Sequence, residues 1–148
     1  MARNTLNYTV ADKGRDFGKV FVLTELPAAQ GEAWAMRAIL ALTSEGVDLP
    51  PGFERMGMSG MVEIGIKSLS KLRWEVAAPL LGEMWQCVQI MPDPSRPHVV
   101  RELFENDIEE ITTRVKIRVE IFKLHLDFLQ AVAASISAVS PAPAAANP

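Results

Sequence analysis

Cysteine and histidine are nearly missing from this chain: 148 residues contain one cysteine, Cys87, and two histidines, His98 and His125. A single cysteine excludes an intramolecular disulfide. Zinc sites favour closely spaced pairs of ligands, and Cys87, His98 and His125 fall on a helical stretch, a proline-rich connection and another helical stretch, so the residues predict no metal or other cofactor. A basic excess is missing too. Fifteen Lys and Arg stand against eighteen Asp and Glu, a net charge of −3, which gives no electrostatic case for tracking a nucleic-acid backbone. No uninterrupted apolar run reaches the roughly 18 residues of a membrane span. Met1 is followed by Ala2, Arg3 and Asn4 and not by an apolar run, so the expectation is a reducing, cytoplasmic setting without membrane contact.

What remains is enough for one ordinary core without metals or disulfides. Leu6, Tyr8 and Val10 alternate with polar residues, Asp12–Asp16 supplies turn chemistry, and Val20–Leu23 forms a second β-rich run. Together they predict an N-terminal β-hairpin over about 5–24. From Thr24 the pattern turns helical, with Pro27 tolerated in a first turn and Gly46 as terminator, and with Ala29, Ala33, Met36, Ile39 and Leu40 expected to face inward. Pro50 and Pro51 interrupt the chain. Met58–Leu72 reads as a helix broken by Gly60 and Gly65. A further helix is expected to start near Pro79 and to carry Leu80, Leu81, Met84, Trp85, Val88 and Met91, before Pro92, Pro94 and Pro97 impose an extended connection. A long last helix is expected from Asn106 or Asp107, capped there, with Glu109 and Glu110 complementing its positive end. The fold class is thus α+β and mostly α: a hairpin followed by four or five helices, one helical domain over 1–140. Residues 141–148, rich in Pro and Ala, read as a flexible tail.

No motif that carries chemistry survives inspection. Gly60-Met-Val-Glu-Ile-Gly65-Ile-Lys67-Ser68 approaches a phosphate-binding loop, but Ile66 separates the second glycine from the lysine and no buried strand precedes it. Gly57-Met-Ser-Gly60 matches the GxxG of an RNA-binding module without the basic residues that clamp a backbone. Glu109 and Glu110 are neighbours on a helix and diverge, so they do not form an acid and base pair. Cys87 reads as a small buried hydrophobe and His125, between Leu124 and Leu126, as a structural or surface residue. The protein is not expected to be an enzyme.

Apolar surface is the feature in excess. Ile108, Ile111, Val115, Val119, Phe122, Leu126, Leu129 and Ile136 recur at helical spacing, and Ile117, Ile121, Leu124 and Phe128 make a second line beside them. A stripe that broad needs an enclosing core or a partner, which predicts self-association or partner binding. Met56, Met58 and Met61 surround flexible glycines, where methionine can fill a core or repack against varied partners. The candidate interaction residues are accordingly Met56, Met58, Met61, Val115, Val119, Phe122, Leu126 and Leu129. Arg114, Lys116, Arg118 and Lys123 make the middle of the same helix basic, most simply a solvated face.

Thr24-Glu-Leu-Pro-Ala28, Trp34-Ala-Met-Arg-Ala-Ile-Leu-Ala-Leu42, Pro79-Leu-Leu-Gly-Glu-Met84 with Cys87-Val88, and Asp107-Ile-Glu-Glu110 with Leu124-His125 together resemble the small tail assembly chaperones of tailed bacteriophages and prophages. The resemblance extends to about Phe128 and rests on no catalytic residue. It implies a non-enzymatic protein that coats the tape measure protein, keeps its long helices soluble and helps recruit tail tube subunits. It implies action in the cytoplasm of the infected or lysogenic bacterial host and absence from the mature virion. The alternative within the same setting is a minor structural virion protein, such as a tail completion or connector subunit, with the same surfaces buried permanently.

Overall fold

The computed structural model describes residues 3–46, 51–52 and 67–139, with the side chains of all of these except residues 39, 43 and 126–139. The methionine segment at 56–61 and the Pro/Ala segment 141–148 lie outside them. The architecture is mixed α+β. Four antiparallel strands form one sheet in the order β1 (Thr5–Thr9), β2 (Val20–Thr24), β3 (Val88–Met91), β4 (Arg101–Glu102). The helices are α1 (Ala28–Ser44), α2 (Trp74–Glu83) and α3 (Ile111–Val139), with 3₁₀ turns at Met84–Cys87 and Glu105–Asp107.

The two strands expected near the N-terminus pair with each other, Leu6 opposite Leu23 and Tyr8 opposite Phe21. They do not stand alone. β2 is also paired on its other edge, Phe21 opposite Ile90 and Val20 opposite Met91, so it lies inside the sheet. That position explains its unbroken Val-Phe-Val-Leu run, since both of its faces are covered and all four residues are buried.

β3 corrects the sequence reading. The expected helix through Val88 and Met91 stops at Glu83, tightens into the 3₁₀ turn and becomes a strand. Trp85, Val88 and Met91 satisfy a helical period, but Val88 and Ile90 also satisfy a period of two, and pairing against β2 decides between them. The same helix starts earlier than expected, at Trp74, and passes through Pro79. Pro79 is exposed, and Glu75, whose carbonyl loses the N–H that proline lacks, is exposed as well, so water can take that hydrogen bond.

Helix α1 ends where expected, with Gly46 in the left-handed region at φ 74°, but it is rotated relative to expectation. Ala29, Ala33, Met36 and Leu40 face outward, and Ala38 and Leu42 are buried with Trp34 packed beside them. Alanine on nearly every side of this helix gives the 3.6 period two solutions. The one adopted lets small side chains meet α2 closely, with the Trp34 indole N–H donating to the Leu80 carbonyl at 2.9 Å.

The core forms where the sheet meets α3. Phe21, Leu23, Ile117 and Ile121 are its most enclosed large side chains, joined by Val10, Met84, Cys87, Val88 and Ile90. A second cluster, built on Ala38, Leu42, Leu69, Leu72, Ala77 and Leu80, lies between α1 and α2. Trp34, Leu81 and Phe122 touch both clusters, and the Trp34 and Phe122 rings meet edge to face at 5.7 Å.

The start of α3 is a further correction. Asn106 and Asp107 do not cap it. Asp107 accepts from the Phe104 N–H at 2.6 Å and holds Arg101 through two hydrogen bonds of 2.7 and 2.9 Å, which closes the preceding 3₁₀ turn. The helix begins at Ile111, and its cap comes from the hairpin loop: Asp16, only 1% exposed, accepts from the N–H groups of Glu109 and Glu110 at 2.9 and 2.8 Å. Lys19 donates to the same carboxylate at 2.9 Å and to the Asp107 carbonyl at 2.7 Å. Glu110 in turn binds Arg15, at 3.0 Å to its Nε. Gly14 permits this approach, because a Cβ there would stand 3.3 Å from Glu110 Oε1.

Burial is the largest influence on the Asp16 carboxyl and raises its pKa. The Glu109 N–H, Lys19, the Glu110 N–H and Thr113 together outweigh burial and bring the value down from 3.8 to about 2. A folded pKa below the unfolded one means stability that is fully present above about pH 4 and is lost as the pH falls through about 2, worth about 2 kcal/mol. Asp16→Ala should cost about 2–3 kcal/mol at neutral pH, because the two part-buried N–H groups that lead into the helix lose a charged acceptor. Urea titrations at neutral and acid pH check both: Asp16→Asn should show a smaller acid-induced loss than the wild type.

Candidate interaction surface

Among the described residues, no three of His, Cys, Asp and Glu are placed to hold a metal ion. Cys87 is buried, and that burial, reinforced by Glu83, pushes its thiol up to about 11, so at neutral pH it is a thiol and packs as a small hydrophobe. His125 has a structural task. Its Nε2 accepts the Leu26 N–H at 3.0 Å, which leaves Nδ1 to carry the proton and donate to the Ile121 carbonyl at 2.8 Å. One imidazole thereby ties the β2–α1 connection to α3. No helix among the described residues is long and apolar enough to cross a membrane.

The geometry of α3 divides the candidate residues. The cap at Asp16 fixes its phase so that Thr113, Ile117 and Ile121, each four residues apart, enter the core. The buried line is therefore the second of the two read from the sequence. The first line leads outward: Ile111 is 80% exposed and Val115 52%, whereas Val119 and Phe122 are half-buried and Phe122 packs on Trp34. Leu126 and Leu129 continue the helix, their side chains outside the description, as are Met56, Met58 and Met61 altogether.

Sequence reasoning missed the outward face of α1. Met36 is 52% exposed and Leu40 61%, one turn apart, with Ala33 and Ala29 continuing the line toward the helix start. The available signal was Arg37, beside Met36, which reaches Glu83 on α2 in an ion pair and so marks the rim of the contact between the two helices. Trp74, Phe17 and Phe104 add large exposed apolar side chains elsewhere. Outward Ile, Val, Met and Leu at helical spacing can seat in the groove of a partner, and they offer no group that could act on a substrate.

Comparison of the chain with protein-family models, with curated proteins and with solved structures finds no match in any of the three.

Positions along one helix should separate folding from binding. Ile111→Asp and Val115→Asp should change stability by no more than about 0.5 kcal/mol, as exposed substitutions do. Ile117→Asp and Phe122→Asp should cost several kcal/mol, on the order of 3 or more, by desolvating an unpaired charge. Thermal melting followed by circular dichroism distinguishes the two classes.

Proposed function

We propose that this protein is a non-enzymatic assembly factor of a phage tail, a chaperone that binds the tape measure protein and helps recruit tail tube subunits in the cytoplasm of the bacterial host. The observation that carries the binding role is the outward apolar lines of α1 and α3, Met36 with Leu40 and Ile111 with Val115, on a chain whose core is filled by other residues. Such lines suit the helical, heptad-like surfaces of a long partner that would otherwise aggregate. The tail setting is supported by the resemblance of Thr24–Ala28, Trp34–Leu42, Pro79–Met84 and Asp107–Glu110 to tail assembly chaperones. Retention of a partner by apolar contact needs no nucleotide.

Coexpression tests the proposal. The soluble yield of the tape measure protein should rise several-fold with the wild type, without ATP, and should fall back with Val115→Asp combined with Leu40→Asp, variants that keep the fold. Light scattering after size exclusion should show self-association or a complex with the partner. Mass spectrometry of purified particles should find the chain missing from mature virions. An unchanged tape measure yield, or a strictly monomeric protein at high concentration, counts against this function.

A further inference from the structure

The two edges of the sheet are unlike. β4 holds only Arg101 and Glu102, both charged, with Pro97 shortly ahead of it, and short, charged strands near proline resist pairing with another chain. β1 runs through Thr5-Leu-Asn-Tyr-Thr9 with no charge, no proline and no bulge against β2. Its outer edge is paired to nothing among the described residues. Leu6, in the middle of that edge strand, is 37% exposed.

Hydrogen bonds at the two ends of the β1–β2 ladder fix which way each β1 residue faces. The Val10 N–H donates to the Lys19 carbonyl and the Glu25 N–H to the Asn4 carbonyl, both at 3.0 Å. Bonded pairs alternate along an antiparallel ladder, so between these ends Leu6 and Tyr8 direct their N–H and C=O groups to β2. Those of Thr5, Asn7 and Thr9 therefore point away from the sheet. The side chains alternate as well. Leu6 and Tyr8, opposite Leu23 and Phe21, lie on the face that packs on α3, and Thr5, Asn7 and Thr9 lie on the other.

We infer that β1 pairs antiparallel with β1 of a second copy of this chain, about a two-fold axis at Asn7. In this register Thr5 stands opposite Thr9 of the copy, Asn7 opposite Asn7, and Thr9 opposite Thr5. Each outward N–H and C=O of the three residues then meets its complement. An axis at Leu6 or Tyr8 would leave one of the three without a partner inside the strand. Between the bonded pairs Leu6 meets Tyr8 of the copy, once on each side of the axis, an aliphatic–aromatic contact that covers Leu6 and carries the core across the junction. A two-fold axis brings each strand against its own likeness, so a charged strand would repel itself, and Thr5–Thr9 carries no charge. Pairing closes at two copies because both free edges of the joined sheet are then β4. This edge is separate from the apolar lines of α1 and α3 and does not depend on the tail assignment.

Analytical ultracentrifugation of the full chain should show a concentration-dependent dimer. Asn7→Lys places two ammonium groups at the axis and should raise the dissociation constant at least about tenfold, as should Asn7→Asp with two carboxylates. Mixed together, those two variants should form a heterodimer at least as tight as the wild-type pair. Asn7→Pro removes an N–H that faces away from β2, a position where an edge strand tolerates proline, and should give a folded monomer. Each variant is read beside its thermal melt. Amide exchange in the wild type, followed by NMR, needs no variant. Raising the concentration should slow exchange at Thr5, Asn7 and Thr9 at least about tenfold and change Leu6 and Tyr8, already bonded to β2, far less. Leu40→Asp combined with Val115→Asp should keep this dimer, which separates it from association through the apolar lines. The inference is overturned by a monomer at NMR concentrations, by a dimer that survives Asn7→Lys, by one that is lost in the Leu40 and Val115 double variant, or by protection that bypasses Thr5, Asn7 and Thr9.

Discussion

One carboxylate on a hairpin loop determines where the longest helix begins. Asp16 is almost wholly enclosed, a position that would keep a lone carboxylic acid neutral. It stays charged because two backbone N–H groups just ahead of the helix, an ammonium and a hydroxyl converge on it. Asp107, the cap expected from the sequence, is engaged instead in turning the chain at Phe104 and in holding Arg101. Arg15, Lys19 and the ion pair between Asp12 and Lys116 fasten the rest of the loop to the same end of α3. With the first turn fixed, the rotation of every later residue follows, Ile117 and Ile121 inward and Ile111 and Val115 outward. The exposed apolar surface is in this sense a consequence of the cap.

Much of the fold was legible where a local rule had a single solution. The alternation around Leu6, Tyr8 and Val10 and the turn residues between Asp12 and Asp16 announce two strands, and Gly46 announces the end of α1. The misses share a physical cause, namely that several patterns fitted and distant contacts chose among them. Alanine all round α1 left its buried face undecided until Trp34 found the Leu80 carbonyl. Val88 to Met91 fitted two periods, and the free edge of β2 selected the strand. Asp107 carries the chemistry of a helix cap, yet a residue ninety-three positions away from Glu109 performs that task, and no window along the sequence contains both. Of the candidate surface, Val115 could be read directly as outward only after the phase of α3 was known, and Met36 and Leu40 had been assigned to the interior.

The two larger apolar clusters divide the labour of the molecule. The first joins the sheet to α3 and makes a frame from opposite ends of the sequence. The second is a contact between α1 and α2 that depends on small residues, Ala38 and Ala77 among them. Trp34 and Phe122 link them, so a change at either ring is felt on both sides. Surfaces available to partners are thereby displayed on an internally braced scaffold, which limits the ordering entropy that association must overcome.

The long separation between Asp16 and the helix it caps has a consequence for synthesis. At typical translation rates of ~5–20 residues per second, the loop waits roughly 5–20 s for its partner N–H groups to be made, ninety-three residues later. For the earlier part of that interval, until Val88–Met91 are made, Val20-Phe21-Val22-Leu23 has one strand edge without β3, a short, apolar, β-prone segment of the kind that pairs with neighbouring nascent chains. Lys13, Arg15, Asp16 and Lys19 stand directly ahead of it in the sequence. Before Arg15, Asp16 and Lys19 fasten the start of the finished helix, flanking charges of this kind discourage such a strand from joining its copies on the same polysome.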